Sequence, residues 1–165
     1  MKRTFLFVFL GLLLSCDDGD LQVETINFDD SAIDFCGTAT TATTLMFKIN
    51  GDEALILTLQ GGLLKNEATT DTIISTVPAQ SKLSYRIFSG TVAKGYFCDA
   101  LPPTDPVVLE EITAEDGEVM ITTAMTDSVT FAHTIRLRGI SFVNESGSRV
   151  TDLRVNNFGA ITTRN

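Results

Sequence analysis

A chain of 165 residues, 44% of them hydrophobic, is long enough to bury a proper core in one domain. Its 12 basic and 21 acidic side chains leave a formal charge of -9. That balance argues against nucleic acid, whose phosphates need Lys and Arg to neutralise them, and against electrostatic docking on anionic lipid.

The chain opens on a short basic stretch, Met1-Lys2-Arg3, followed by an almost unbroken apolar run from Phe5 to Leu14. That run is too short to span a bilayer, which takes roughly 20 apolar residues. A basic end, a short apolar core and a small residue before a cut describe a secretory leader. At the end of the core stands Leu13-Leu14-Ser15-Cys16, and directly after it Asp17-Asp18-Gly19-Asp20. These first sixteen residues resemble the signal of bacterial lipoproteins. The resemblance implies that Ser15 is the last leader residue and that the Cys16 thiol receives a diacylglycerol and becomes the acylated N-terminus. Several acyl chains anchor far better than one, since each buried methylene contributes about 0.8 kcal/mol. The alternative is an ordinary cleaved signal with a chance cysteine.

The acidic run carries two implications from the same resemblance. In enteric bacteria an aspartate directly after the lipid cysteine resembles a signal for staying in the inner membrane. In another Gram-negative phylum, acidic residues there resemble a surface-export signal, and Asp17, Asp18 and Asp20 fit this second pattern in density. The expected location is therefore the outer membrane, lipid-anchored at the cell surface, with the periplasmic face of a membrane as the alternative. Residues 1–15 are then a signal peptide, 16–27 a lipidated N-terminus with an acidic tether, and 28–165 a single domain. Loss of Lys2 and Arg3 with the leader moves the formal charge from -9 to -11.

With Cys16 taken by lipid, Cys36 and Cys98 remain as an even pair in an oxidising compartment, and a disulfide is the natural assignment. The loop closed is about 60 residues, for which the chain-entropy treatment gives roughly 4 kcal/mol. A redox or metal pair fits poorly, because the two are far apart in sequence with no C-x-x-C and no Cys/His cluster beside them.

Beyond the tether the pattern is β throughout, and no stretch sustains a 3.6-residue apolar period over three turns. Leu45 to Ile49 reads as a strand, Asn50-Gly51-Asp52-Glu53 as a turn, and Ala54 to Gln60 as a second strand with Leu55, Leu57 and Leu59 on one face. Residues 65–80 form a polar, Thr-rich connection with a short strand at Thr72 to Val77. Lys82 to Phe88 alternates Leu83, Tyr85 and Ile87 inward, and Thr91 to Cys98 is expected to pair back. Pro102, Pro103 and Pro106 make a stiff loop that cannot be a central strand. Val107 to Ile112 is predicted to pair with Glu118 to Met125 across an Asp116-Gly117 hairpin turn. Val129 to Val143 is the longest run, with Phe131, His133, Ile135 and Leu137 on one face and a shift at Gly139 that points to a β-bulge. Asn144 to Ser148 turns, Arg149 to Val155 returns with Leu153 and Val155 inward, and Phe158 to Thr162 closes the chain.

Eight or nine strands joined mostly as hairpins predict an all-β fold. An antiparallel immunoglobulin-like β-sandwich comes first, although no Trp is present to pack on the disulfide, and a small β-barrel or jelly roll second. The stretch Tyr96-Phe97-Cys98, Pro102-Pro103 and Glu110-Glu111 is similar to a stretch in uncharacterised bacterial lipoproteins of similar size, which implies location and fold but no chemistry.

No catalytic constellation emerges. His133, the only histidine, shares its strand face with Phe131 and Ile135, which predicts a buried or sheet-edge histidine hydrogen-bonded to backbone rather than a catalytic base. Asp29, Asp30 and Asp34, and Glu115, Asp116 and Glu118, are close in sequence, but Asp29 to Asp34 lacks the glycine and terminal glutamate of an EF-hand loop. No metal and no cofactor is expected. Glu110 and Glu111 are strand neighbours and point to opposite faces, so they cannot be a side-by-side pair. Arg136 and Arg138, opposite Ile135 and Leu137, suit cross-strand pairing with acidic neighbours better than an anion clamp. Asp30-Ser31-Ala32, Asp71-Thr72-Ile73 and Asp127-Ser128-Val129 resemble an O-glycosylation pattern of exported proteins in the same phylum, which implies Ser31, Thr72 and Ser128 as acceptors. Asn144-Glu145-Ser146 fits the N-glycosylation sequon, uninformative in a bacterial lipoprotein.

The functional expectation is a non-enzymatic, lipid-anchored surface module that meets the membrane through Cys16 and either binds a protein or glycan or serves as an accessory to an envelope assembly. Binding is expected in loops such as 61–80 and 99–106. The alternatives are a hydrolase using carboxylates from separate strands, which would need two of them facing each other in a cleft, and a structural periplasmic lipoprotein.

Overall fold

The structure is a computed structural model that describes residues 26–143, 149–150 and 156–165. The leader, the acidic tether, the turn at 144–148 and the stretch 151–155 with Leu153 and Val155 lie outside the described residues. The elements are β1 (Leu45–Asn50), β2 (Glu53–Thr58), β3 (Ile73–Thr76), β4 (Lys82–Phe88), the one-turn helix α1 (Gly95–Cys98), β5 (Val108–Met125), β6 (Thr130–Val143), β7 (Arg149–Val150) and β8 (Asn157–Arg164). Every pairing between them is antiparallel.

The all-β class stands. In place of two separately bonded sheets, one hydrogen-bonded path runs β1-β2-β4-β5-β6-β7, with β3 added on β5 and β8 on β6, and it curls into a half-barrel. The curl comes from β5. Its first part pairs with β4 up to Thr113, and from Ala114 onward it pairs with β6, with β3 on its other side at Glu118–Ile121. One 18-residue strand thus belongs to both halves.

This corrects the hairpin expected at Asp116-Gly117. The chain does not reverse there; it bends. Glu115 is an extra residue on β5 between Ala114↔Phe142 and Asp116↔Ser141. Gly139-Ile140 then faces Gly117 between Asp116↔Ser141 and Glu118↔Arg138. Two bulges on opposite strands kink the pair while keeping its register. Gly117 sits at φ +123°, and a Cβ there would lie 2.6 Å from Ile140 Cδ1 and 3.0 Å from Arg138 O. The glycine is required by the bend and the close approach of β6, the same freedom that makes Asp-Gly a turn elsewhere. The bulge expected at Gly139 is present.

The β1–β2 hairpin forms as expected, with Asn50 paired to Glu53. Leu55, Leu57, Leu83 and Tyr85 from one half meet Val119, Ile121, Ile135, Leu137 and Ile161 from the other in a single buried core. The segment before β1 fills the open side. Ile26 and Phe28 are buried in that core, and Asp34 exchanges backbone hydrogen bonds of 2.7 and 2.9 Å with Phe47 on the outer edge of β1.

Thr91 to Cys98 does not pair back as a strand. It is a loop ending in α1. The consecutive Tyr96 and Phe97 cannot both face one side of a strand. A helical turn lets both pack on the outer face of the sheet, where they join a second apolar cluster of Phe47, Ala54, Ile56, Phe88 and Val92.

Candidate functional site

The outer face of the β1-β2-β4-β5 half carries a concave feature that combines aromatic, hydroxyl and charged side chains. Its wall is α1. Phe97 stacks on Phe47 with ring centroids 4.3 Å apart, and Tyr96 sits edge-on to Phe88 at 4.9 Å. The wall is clipped from behind. Cys98 is disulfide-bonded to Cys36, with Cα atoms 5.3 Å apart. Lys94 Nζ lies 2.6 Å from Asp34 Oδ1 and 5.7 Å from the centre of the Phe35 ring. The disulfide expected from the cysteine count is therefore formed, and its place explains what it holds: the turn that carries both aromatics.

Beside this wall the sheet floor is uncovered, leaving a groove of about 500 Å³, within the span of about 300–1,000 Å³ usual for ligand sites. Register builds the floor in rows: Thr58 beside Lys82, Ile56 beside Ser84 and Thr113, and Ala54 beside Arg86 and Glu111. Lys82, Ser84 and Arg86 alternate along β4 and so project to the same side. Pro102, from the stiff loop, completes the rim.

The charge in the groove runs against that of the chain. Arg86 Nη2 donates to Glu111 Oε1 at 2.8 Å, an exposed pair of the sort that contributes about 0–1 kcal/mol. Arg86 Nε is buried without a hydrogen-bond partner among the described residues, a situation that costs about 1–3 kcal/mol. Lys82 has no ion pair among the described residues. Among the described residues Glu111 is the only carboxylate in the lining. Two cations against one anion make the groove locally positive on a chain of formal charge -9.

The residues singled out in the sequence lie elsewhere. His133 is fully buried, as its strand phase indicated, but its partners are side chains rather than backbone. Nδ1 lies 2.8 Å from Thr123 Oγ1, and Nε2 lies 2.8 Å from Thr163 Oγ1. Burial lowers its pKa below the usual imidazole range. Arg138 pairs with Glu118 across β5–β6, the cross-strand arrangement expected, whereas Arg136 is exposed with no ion pair among the described residues. Asp34 is paired with Lys94, and the Asp116 carboxylate accepts the Gly117 N–H at 2.8 Å. Among the described residues no group of three or more His, Cys, Asp or Glu is placed to hold a metal ion.

The three candidate acceptors differ. The Ser31 hydroxyl is half-buried and donates to Ile49 O at 2.8 Å. Thr72 and Ser128 are exposed. Ser128 is at the tip of the β5–β6 hairpin, where the Asp127 carboxylate accepts from the N–H groups of Val129 and Thr130 at 2.9 and 2.8 Å. Those bonds hold the Asp127 carboxyl below the usual carboxylate range.

Of the two loops expected to bind, 99–106 contributes Pro102 to the groove. In 61–80, Thr69 is lashed to Thr123 by backbone hydrogen bonding at 2.9 Å. Lys82, Ser84 and Arg86 are not marked as a site by the sequence. Their signal was present as the complement of Leu83 and Tyr85: the polar phase of an alternating strand, indistinguishable in sequence from any solvated face. No family model, no curated protein and no solved structure matches this chain.

Proposed function

We propose that the chain is a lipid-anchored cell-envelope binding module. Lipid on Cys16 holds it at the outer membrane, the acidic stretch Asp17 to Asp20 directs it to the cell surface, and the groove beside α1 takes a glycan or protein ligand. The lipoprotein-like motif Leu13-Leu14-Ser15-Cys16 supports the anchor. The groove carries the binding reading: a preformed concavity with a pinned aromatic wall and a floor of convergent polar groups is what a ligand site requires. At the level of architecture, the two halves stand to each other as the layers of a sandwich whose corner is the bulged strand β5. A two-carboxylate hydrolase is the weaker reading of this groove, since among the described residues Glu111 is the one carboxylate in its lining.

Protease shaving of intact cells carrying a C-terminally tagged protein tests the location. Loss of the tag without permeabilisation supports surface display; protection until the outer membrane is opened favours a periplasmic role. A glycan array probed with the purified protein and with Thr113→Trp tests the groove. Thr113 is exposed on the floor, so the indole fills the groove without entering the core. Binding that the substitution abolishes is expected; binding it leaves untouched counts against the groove.

A further inference from the structure

The groove has a directional pattern that narrows its ligand. Lys82, Ser84 and Arg86 stand at every second position of β4, so cation, hydroxyl and cation form a ladder spanning about 13 Å at roughly 3.3 Å per residue. Thr58 and Thr113 flank that ladder through register. The hydroxyls of Thr58, Ser84 and Thr113 and the phenol of Tyr96 make no side-chain hydrogen bond to another described residue. The groove therefore offers several open hydroxyls, an aromatic wall and two cations set apart from each other.

We infer that the groove recognises a linear acidic oligosaccharide, with ring carboxylates meeting Lys82 at one end and Arg86 at the other. The assignment rests on the groove being the ligand site. Sugar hydroxyls suit the open Ser, Thr and Tyr groups, which both donate and accept. The slightly positive C–H face of a sugar ring suits the negative face of an aromatic ring. Lys82 and Arg86 supply the charge complement, and Arg86, with Nη2 on Glu111, retains Nη1 for a carboxylate oxygen. The spacing of the cations favours an oligomer over a single sugar, because one ring cannot reach both.

A peptide is the less suitable occupant. Extended peptides commonly bind by pairing with an open strand edge. Here the floor strands are interior: β2 is paired to β1 and β4, and β4 to β2 and β5. Their backbone groups are spent, and only side chains face the groove. Nucleic acid, with a phosphate at every nucleotide, needs more cations than the two this groove lines up.

The test is titration calorimetry of the full-length protein in detergent. The probes are tri-galacturonic acid, an alginate trimer, a hyaluronan tetrasaccharide, the methyl ester of the galacturonate trimer, free galacturonic acid and hexaglutamate. At least one acidic oligosaccharide is expected to bind. Its affinity should exceed that of free galacturonic acid, fall at least tenfold in Lys82→Glu, and weaken with added salt. Lys82 is exposed and unpaired among the described residues, so the variant keeps the fold; an unchanged circular dichroism spectrum checks this. If the methyl ester binds as tightly as the acid and Lys82→Glu is silent, the acidic assignment falls while the groove remains a glycan site. If hexaglutamate binds and no saccharide does, the assignment falls in favour of an acidic peptide. If none of the probes binds and the array shows no groove-dependent signal, the groove reading falls with it.

Discussion

At the residue scale, the most informative side chain is one that does not touch the groove. His133 is the middle of a buried polar chain. Thr163 Oγ1 donates to Asn66 Oδ1 at 2.5 Å, so its oxygen accepts from His133 Nε2–H. Nδ1 is then left unprotonated to accept from Thr123 Oγ1–H. The ring is satisfied only when neutral, and the partners bonded to it carry no charge to balance an imidazolium. Its folded pKa lies below the ordinary 6.5, so the unfolded chain binds the extra proton first, and stability falls as pH drops below about 6.5. The urea midpoint should therefore fall between pH 7.5 and 5, and the decline should be shallower in His133→Gln, even though that variant is weaker throughout. A flat wild-type profile would contradict the chain as described. Asp127 does not confound this window. Its pKa is depressed, so its contribution is present above about 3.8, the ordinary Asp value, and is lost only as pH falls below that.

Gly117 sets a second residue-scale expectation. At φ +123°, with Ile140 and Arg138 backbone atoms at 2.9 and 3.0 Å from a Cβ position, Gly117→Ala should destabilise by roughly 2 kcal/mol or more. Denaturant unfolding measures it, and a change within about 0.5 kcal/mol, usual for neutral surface changes, would mean that the bend is not specified there. The burial of His133 was legible from its alternation with Phe131 and Ile135. Its partners were not, because Asn66, Thr123 and Thr163 come from separate parts of the chain and meet only after the sheet curls.

At the element scale, β5 and α1 decide the architecture, and both were misread for the same reason. Local signals are degenerate. Asp116-Gly117 carries the chemistry of a hairpin corner, and only the pairing of β6 on the same side, through bulges at Glu115 and Gly139-Ile140, turns that chemistry into a bend. Tyr96-Phe97-Cys98 looks apolar enough for a strand; the bond from Cys98 to Cys36 and the stacking on Phe47 instead hold a helical turn over the outer face. Strand β4 and the first part of β6 are legible from a two-residue alternation against the core. Strands β1 and β2 are legible from short apolar runs on either side of an Asn-Gly turn, and both faces of those runs are covered. The disulfide links the two scales. Replacing both cysteines with serine should cost up to about 4 kcal/mol by the chain-entropy treatment, and it should also loosen the aromatic wall, weakening ligand binding at temperatures where the chain is still folded. Loss of stability with unchanged affinity would show that the wall is held by Phe47 and Phe88 alone.

At the scale of the whole molecule, two features of the sequence meet. The Leu13-Leu14-Ser15-Cys16 motif and the acidic tether set an expected place, and the groove sets an expected task there. The expected place is read from local composition alone, because a signal sequence acts through it. The groove is not, because it is the product of register: Thr58, Ser84, Arg86, Glu111 and Thr113 become neighbours only when β2, β4 and β5 align. A surface location should also leave Thr72 and Ser128, both exposed, open to O-glycosylation, whereas Ser31 is tied to the Ile49 carbonyl. Mass spectrometry of natively produced protein should find added sugar at the first two and none at Ser31; unmodified mass throughout would remove the assignment.

The measurement that bears most directly on the groove as the ligand site is a two-dimensional amide NMR titration with the strongest ligand from the array. Perturbations are expected to cluster at Lys82, Ser84 and Arg86 on β4, at Glu111 and Thr113 on β5, and at Tyr96 and Phe97 on α1. A cluster on the outer face of the other half, around Thr122 and Thr134, or the absence of any saturable shift, would contradict the assignment.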